Sequence, residues 1–390
     1  MDGNSTESAL ALLLSDIDLP ERAYASAKRR YEDLGAWFSR DGSALAGYDA
    51  HVFVQGSFAL GTAIKPINPG EEYDLDFTCK LKQGVSRSSH AQQDLKALVG
   101  QELRGYRVAR QIVAPLEPKN RCWRLSYRDE MPFHMDVVPG IRADDGLRSI
   151  LSEAMRVRGL PADLAIDIAR RALWITEEER PNFAYVSPDW PSSNPGGYQL
   201  WFASRQQPPN GRFLAEAQID PMPVFGRRTP LQQTVQLLKR HRDVYFVENP
   251  DVKPVSVILT TVAGQAYVPG ESVGQTLQRS LDALNVLRRG NVDEIYNPIN
   301  PQENFADRWT KVDCVPLELK RHFHEWINVA TRDFGLVRSV GGTRLMEVAD
   351  DSFRVSLPHQ VASRVTSAPT STPSPVRHVD VAAPPSPWCG

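Results

Sequence analysis

The stretch from Val52 to Leu81, VFVQGSFALGTAIKPINPGEEYDLDFTCKL, limits what this chain can become more than any other. Val52-Phe53-Val54 reads as a strand that stops at Gly56-Ser57. After a Pro/Asn/Gly loop, Tyr73-Asp74-Leu75-Asp76-Phe77 reads as a second strand. Side chains alternate faces along a strand, so Asp74 and Asp76 share one face while Leu75 and Phe77 take the other. The strand rise puts those two carboxylates about 7 Å apart. On a partly desolvated face they repel by about 2 kcal/mol at an effective dielectric of about 20. A bound divalent cation removes that cost and is the simplest reason to keep both.

Pro132 to Val138 is another strand-like run, with Asp136 between apolar neighbours just before Pro139-Gly140. If it lies beside the Asp-Leu-Asp strand, three acids converge. Three oxygen donors with open positions suit Mg²⁺, or Mn²⁺ in its place, which completes its shell with water and substrate phosphates. Such a site supports phosphoryl or nucleotidyl transfer. Gly56 lets the backbone approach a ligand closely. Ser57 offers a hydroxyl and an amide at the start of a short helix expected over Phe58 to Thr62, where amide donors face an anion. No Gly-Lys-Ser/Thr follows, so this phosphate cradle is not a P-loop.

Gly-Ser, then Asp-x-Asp, then a distant strand Asp resembles the polymerase-beta-like nucleotidyltransferases. The fuller context is similar to the bacterial cGAS/DncV-like nucleotidyltransferases (CD-NTases). The segments that carry the likeness are Gln55-Gly56-Ser57-Phe58, Gly61 to Pro66, Tyr73 to Asp76, Asn194 to Phe202, Leu237 to Arg240, and Asn297 through Trp309. They cover most of residues 20–350. The resemblance implies an α+β, bilobed fold: a mixed-sheet palm lobe with a long N-terminal helix bracing both lobes, an α-helical C-terminal lobe, and a cleft between. It implies three segments: 1–160, 161–358, and a tail at 359–390. It also implies that Asp74, Asp76 and Asp136 hold the metals and do the catalysis. Gln55, Gly56, Ser57, Lys239 and Ser256 would bind nucleotide.

Formal net charge is −2, so no global basic field suits duplex nucleic acid. Cys79, Cys122, Cys314 and Cys389 are too scattered for a zinc site, which argues against the zinc-dependent duplex-DNA sensing of the animal relatives. That scatter fits a reducing cytosol. No run of about 18 apolar residues and no basic-led signal segment is seen, so a cytoplasmic protein without membrane contact is expected.

Helices are expected over Pro20–Phe38, His90–Leu103, Leu160–Trp174, Thr229–Phe246, from Lys253 through Thr261, Gly274–Arg289 and Val315–Thr331. Strands are expected over Tyr106–Val113 and Cys122–Tyr127, a loop from Asn182 ending in a packed Tyr198–Phe202, and an irregular, structural segment over Asn297–Phe305. His134 shares a face with Asp136 and either contacts substrate or is a hydrogen-bonded structural histidine. Lys239-Arg240-His241-Arg242 is either a solvated charged face or, as the resemblance implies for Lys239, reaches a triphosphate. Ser256 is either a phosphate donor or a capping hydroxyl. Trp201 and Phe202 read as core, the alternative being a base-stacking platform at the cleft rim.

From about Ala362 the chain turns rich in Ser, Thr, Ala and Pro and ends Trp388-Cys389-Gly390, a composition that does not fold alone. Such a tail with a terminal glycine resembles conjugated ubiquitin-like tails. The resemblance implies an E1/E2-like ubiquitin-transferase partner acting on Gly390, the alternative being an unremarkable chain end. The whole reads as an enzyme that joins ATP and other nucleoside triphosphates into a cyclic di- or trinucleotide, which activates an effector in anti-phage defence. The rivals are a nucleotidyltransferase making linear oligoadenylate or modifying a protein or tRNA, and an inactive scaffold.

Overall fold

Two strands with period-two alternation and a third carrying Asp136 meet in one sheet. The computed structural model describes residues 3–68, 70–128, 132–206, 226 and 228–359. The sheet contains β1 (Ala50–Val54), β2 (Tyr73–Leu81), β3 (Glu117–Pro118), β4 (Trp123–Tyr127), β5 (Phe133–Arg142), β6 (Leu173–Ile175) and β7 (Ser192–Ser193). Its order is β1-β2-β5-β4-β3, with β6 pairing β5 and β7. Among the described residues only β2 and β5 run parallel, from Tyr73↔Phe133 to Leu81↔Ile141; β1 and β4 flank them antiparallel. The mixed sheet is therefore as expected.

The helices are α1 (Gly3–Ile17), α2 (Glu21–Ser39), α3 (Gly56–Leu60), α4 (Gln92–Ala109), α5 (Asp145–Val157), α6 (Ala162–Ala169), α7 (Pro195–Gln206), α8 (Pro230–Tyr245), α9 (Ser256–Ala266), α10 (Val273–Arg289), α11 (Leu319–Ser339) and α12 (Gly342–Phe353). Two apolar cores result. In one, the α2 stripe Tyr24, Ala27, Tyr31, Leu34 and Phe38 packs with α4 on the sheet through Leu75, Phe77, Leu95, Met135 and Val137. In the other, α7 to α12 pack together with α1, whose Leu10, Leu13, Leu14 and Ile17 are buried, and with α5 and α6. Together α1 and α2 thus touch both lobes. Among the described residues no helix is long and apolar enough to cross a membrane.

Several elements differ from the sequence expectation. Tyr106 to Ala109 is the last turn of α4, not a strand. Tyr106 continues the helical stripe of Leu95, Val99 and Leu103, whereas Val108 is exposed, so the apparent alternation has no buried face behind it. The helix expected to Trp174 stops at Ala169 because Leu173–Ile175 pairs with Gly140–Arg142 at the end of β5, a long-range capture that outweighs local propensity. The expected loop before Tyr198 gives way at Pro195 to α7, where Asn194 Oδ1 accepts from the Gly197 amide. The segment expected to be irregular forms a hairpin of β8 (Tyr296–Asn297) and β9 (Asn300–Asn304). The short helix starts at Gly56 rather than Phe58. The proline-rich tail, with Gly390, lies outside the described residues.

The two lobes are joined by one unusual contact. Along α8, Gln232, Gln236, Lys239 and Arg240 fall on one side, and each donates to a backbone carbonyl of the last residue of α3 or of the segment that follows it. Their acceptors are Leu60 (2.9 Å), Ala63 (2.9 Å), Thr62 (3.0 Å) and Lys65 (2.7 Å). This explains the burial of Lys239 and Arg240, whose charges face carbonyl oxygens instead of water; of the rest of the run, His241 pairs with Asp333, and Arg242 with Asp243, the Pro254 carbonyl and Ser256. Gly61 sits in this seam at φ +66°, and a methyl group there would run into the Gln232 side-chain amide. Gly61→Ala should lower unfolding free energy by about 1–3 kcal/mol, measured by urea titration. Gly47→Ala, which meets no atom within 4 Å, should change stability by less than about 1 kcal/mol. Equal effects from both would contradict the seam.

Candidate active site

The register of the parallel pair decides the site. Asp76 lies opposite Asp136, and Asp74 lies opposite His134. All four side chains rise from one face, while Leu75, Phe77, Met135 and Val137 are fully buried on the other. On the far side of β5, Arg124 of β4 stands opposite Asp136. It clamps that carboxylate with Nε on Oδ1 at 2.8 Å and Nη2 on Oδ2 at 2.7 Å. His134 bridges two acids, with Nε2 2.6 Å from Asp74 Oδ1 and Nδ1 3.1 Å from Glu72 Oε2.

The electrostatics follow from this packing. Burial raises the Asp76 pKa, and the charges of Asp74 and Asp136 push further, to about 7. For Asp74 burial also acts upward, but the hydrogen bond and charge of His134, with Arg124 and Lys239, outweigh it and hold the carboxyl below its ordinary value. His134 shifts up, since its bond to Asp74 more than offsets its own burial. Asp76 is thus the acid whose negative charge has least compensation.

Gly56 is a requirement of the same arrangement. It adopts φ +62°, and a methyl group on it would collide with Asp76 Oδ2. Ser57 follows it. Gln55, at the end of β1, turns the other way: its Oε1 accepts from Thr78 Oγ1 at 2.9 Å, and it lines neither of the cavities described next. Across the seam, burial, with Arg242 nearby, lowers Lys239 to about 8, against the opposing pull of Asp243, Asp74 and Asp76. Ser256 is not the cap of α9, a place held by Val255. Its hydroxyl oxygen accepts from Arg242 Nη1 at 2.7 Å, which leaves its proton free to donate.

Two cavities meet at these groups. One, of about 510 Å³, has Lys65, Lys239, Arg242, Lys253, Glu72 and Asp74 in its walls. The other, of about 350 Å³, adds Gly56, Asp76, Tyr198, Asn297, Glu303 and Phe305. Ser57, Asp74, Lys239 and Ser256 belong to both. Sequence reasoning brought together Asp74, Asp76, Asp136, Gly56, Ser57, Lys239 and Ser256. It missed Arg124, Arg242 and Glu303. Alternation along Cys122–Tyr127 could have put Arg124 on the acid face, but pairing β4 with β5 is not a local signal.

Among the described residues, no group of three or more His, Cys, Asp or Glu side chains stands in a metal-holding arrangement. The Asp136 oxygens are turned to Arg124 and one Asp74 oxygen to His134. The donor chemistry nevertheless fits a hard divalent cation: three carboxylates on adjacent strands, one of them short of positive charge.

Comparison with known proteins places these features in a family. Residues 50–139 match the family model for the nucleotidyltransferase domain of cyclic GMP-AMP synthase DncV-like proteins. A c-di-GMP synthase of Roseivirga ehrenbergii is 30% identical over 329 residues, covering 83% of this chain and 77% of that protein. The cyclic dinucleotide synthase CdnG of Bradyrhizobium diazoefficiens is 27% identical over 384 residues, covering 92% and 85%. The solved structure of the Bradyrhizobium CdnG in complex with GTP superposes with a TM-score of 0.64 at 21% identity, over 92% of this chain and 98% of that one. Vibrio cholerae DncV with a linear pppA(3′,5′)pG intermediate gives 0.55 at 13% identity, over 90% and 94%. These two likenesses show the bilobed fold.

The raised Asp76 pKa has a stability consequence. An unfolded Asp titrates near pH 3.9 and the folded one near 7. The folded state therefore binds the proton more tightly, and stability drains away as pH rises from about 4 through 7. In metal-free buffer, Asp76→Asn should melt higher than the parent at pH 8 and lose that advantage at pH 4.5, by differential scanning fluorimetry. A variant that melts lower at pH 8 would contradict the like-charge arrangement.

Proposed function

We propose that this chain, which belongs to the DncV-like CD-NTase family of nucleotidyltransferases, condenses nucleoside triphosphates into a cyclic dinucleotide with GTP among its substrates. The observation that carries the reading is that two cavities meet at Asp74, with Asp76 in the wall of the smaller one and Asp136 beside Asp76 on the neighbouring strand, so that two nucleotides have room next to the acids. The relatives named as c-di-GMP and cyclic dinucleotide synthases support the product class. ATP, expected from the sequence, is the comparison substrate.

In each step a ribose hydroxyl oxygen of one nucleotide forms a bond to the α-phosphorus of the other. The bond to the pyrophosphate oxygen breaks, and the hydroxyl proton is lost. A second such step closes the ring. Asp74, Asp76 and Asp136 would hold Mg²⁺ or Mn²⁺, which when bound activates the hydroxyl and neutralises the phosphates. The chain's own groups do the rest. Gly56 admits a phosphate close to the backbone. Lys239 is short of counter-charge through burial and gains it from a triphosphate. Ser256, with its oxygen occupied by Arg242, donates its proton to the same anion. Arg124 and His134 position Asp136 and Asp74.

Purified protein given all four labelled nucleoside triphosphates with Mg²⁺ or Mn²⁺ should yield a phosphatase-resistant, guanine-containing species, identified by mass spectrometry. It should vanish with EDTA and in Asp74→Ala/Asp76→Ala. A product degraded by phosphatase would favour a linear oligonucleotide, and no product with either metal would overturn the reading.

The product's place is in anti-phage signalling through an effector, as the family resemblance implies. For the tail, conjugation of Gly390 by an E1/E2-like partner is the reading that goes with it. Deleting Gly390 in cells that hold the native gene neighbours should remove high-mass adducts of the protein. Unchanged adducts would contradict it.

A further inference from the structure

The hairpin β8–β9 supplies Asn297 and Glu303 to the wall of the smaller cavity, and Phe305, just after it, adds a third residue. Aromatic surface lies beside them. The Tyr198 and Phe305 rings meet edge to face, with centroids 6.2 Å apart. The Tyr198 hydroxyl is held by Thr261 at 2.8 Å. Such a wall suits a base face.

The hydrogen-bonding groups nearby are mostly committed. Asn194 donates to the Ile168 carbonyl and accepts from the Gly197 amide. Asn297 is buried; its Oδ1 accepts from the Ile299 amide and its Nδ2 donates to Glu303 Oε2 at 2.7 Å. Thr260 donates to the Ser256 carbonyl. Glu303 is different. One oxygen is steadied by Asn297, and Oε1 has no hydrogen-bond partner among the described residues. Apart from Asp74 and Asp76, it is the one carboxylate in this wall among the described residues.

We propose that Glu303 is the residue that selects guanine in the smaller cavity. An ionised carboxylate offers two parallel acceptors and no donor. Among the bases, guanine alone presents two adjacent donors on its Watson–Crick edge, the N1 hydrogen and the N2 amino group, so the two edges match in pairs. Adenine presents an acceptor at N1 between its donor at N6 and a C–H, and would leave a lone pair facing a carboxylate. A wall built to pair with a donor discriminates strongly against a base that lacks it. The assignment rests on the proposed use of GTP, and names the group that reads its base.

The test separates the two. Full-length protein with Ca²⁺, which allows binding without turnover, is titrated with a fluorescent GTP analogue displaced by GTP, ITP or ATP. ITP lacks only the N2 amino group. Wild type should prefer GTP over ITP by about 10- to 100-fold. Glu303→Gln, which keeps the shape and a partner for Asn297, should bring the two within about threefold, chiefly through weaker GTP binding. Glu303→Ala should do the same, and circular dichroism will show whether either variant is folded. Wild-type preference for GTP that survives in folded Glu303→Gln overturns the proposal, as does equal binding of GTP and ITP by wild type. GTP selectivity that depends on Glu303 in a protein yielding no cyclic product would uphold this assignment while removing the synthase reading.

Discussion

Repulsion among three carboxylates is the constraint around which the rest of the molecule is arranged. Asp74 and Asp76 share one face of β2, and the parallel pairing with β5 sets Asp136 beside Asp76. Each pair costs on the order of a few kcal/mol at an effective dielectric of about 20. Arg124 offsets one acid from the neighbouring strand and His134 offsets another. Asp76 is left between them, with Gly56 pressed against it where no larger residue fits. Such a group is costly as an isolated anion, and a bound divalent cation would remove that cost.

The second constraint is that the groups proposed to meet the phosphates come from the other lobe. Lys239 and Ser256 belong to α8 and α9, and reach the acids only because α8 is laid along the segment after α3. Four donors on one side of α8 take four carbonyls of residues 60–65. Buried carbonyls without partners are costly, so this seam has one register. It fixes Lys239 and Ser256 against Ser57 and the acids, and it shapes the two cavities on either side. Chemistry in this fold thus depends on a seam between lobes as much as on the sheet.

The sequence made the acids legible because their signal is local. Alternation around Asp74, Asp76 and Asp136 gives strands and faces directly, and Gly56-Ser57 marks a close approach. The helices expected over Pro20–Phe38 and Thr229–Phe246 were equally plain, and they are α2 and α8. What escaped were features decided by pairing across the chain. Leu173–Ile175 became a strand by joining β5, the Asn297–Phe305 segment became a hairpin, and Arg124 found Asp136 across a sheet register that no short window contains. Lys239 and Arg240 of the basic run of α8 ran against the usual solvated fate of such charges because their partners are carbonyls far away in the sequence, Thr62 at a separation of 177 residues and Lys65 at 175. Glu303 lay in the Asn297–Trp309 segment that carries the family likeness, but a single glutamate in a short polar strand has no periodic pattern to single it out.

The central claim is that the three acids form a cation site in which the metal takes the place of a proton on Asp76. Calorimetric titration of Mn²⁺ into protein holding a non-hydrolysable GTP analogue, in buffers of different ionisation enthalpy, measures this directly. Near pH 6 binding should release about one proton per site, and by pH 9 close to none, with the release lost in Asp76→Asn. Proton release that is independent of pH, or unchanged in Asp76→Asn, would contradict it.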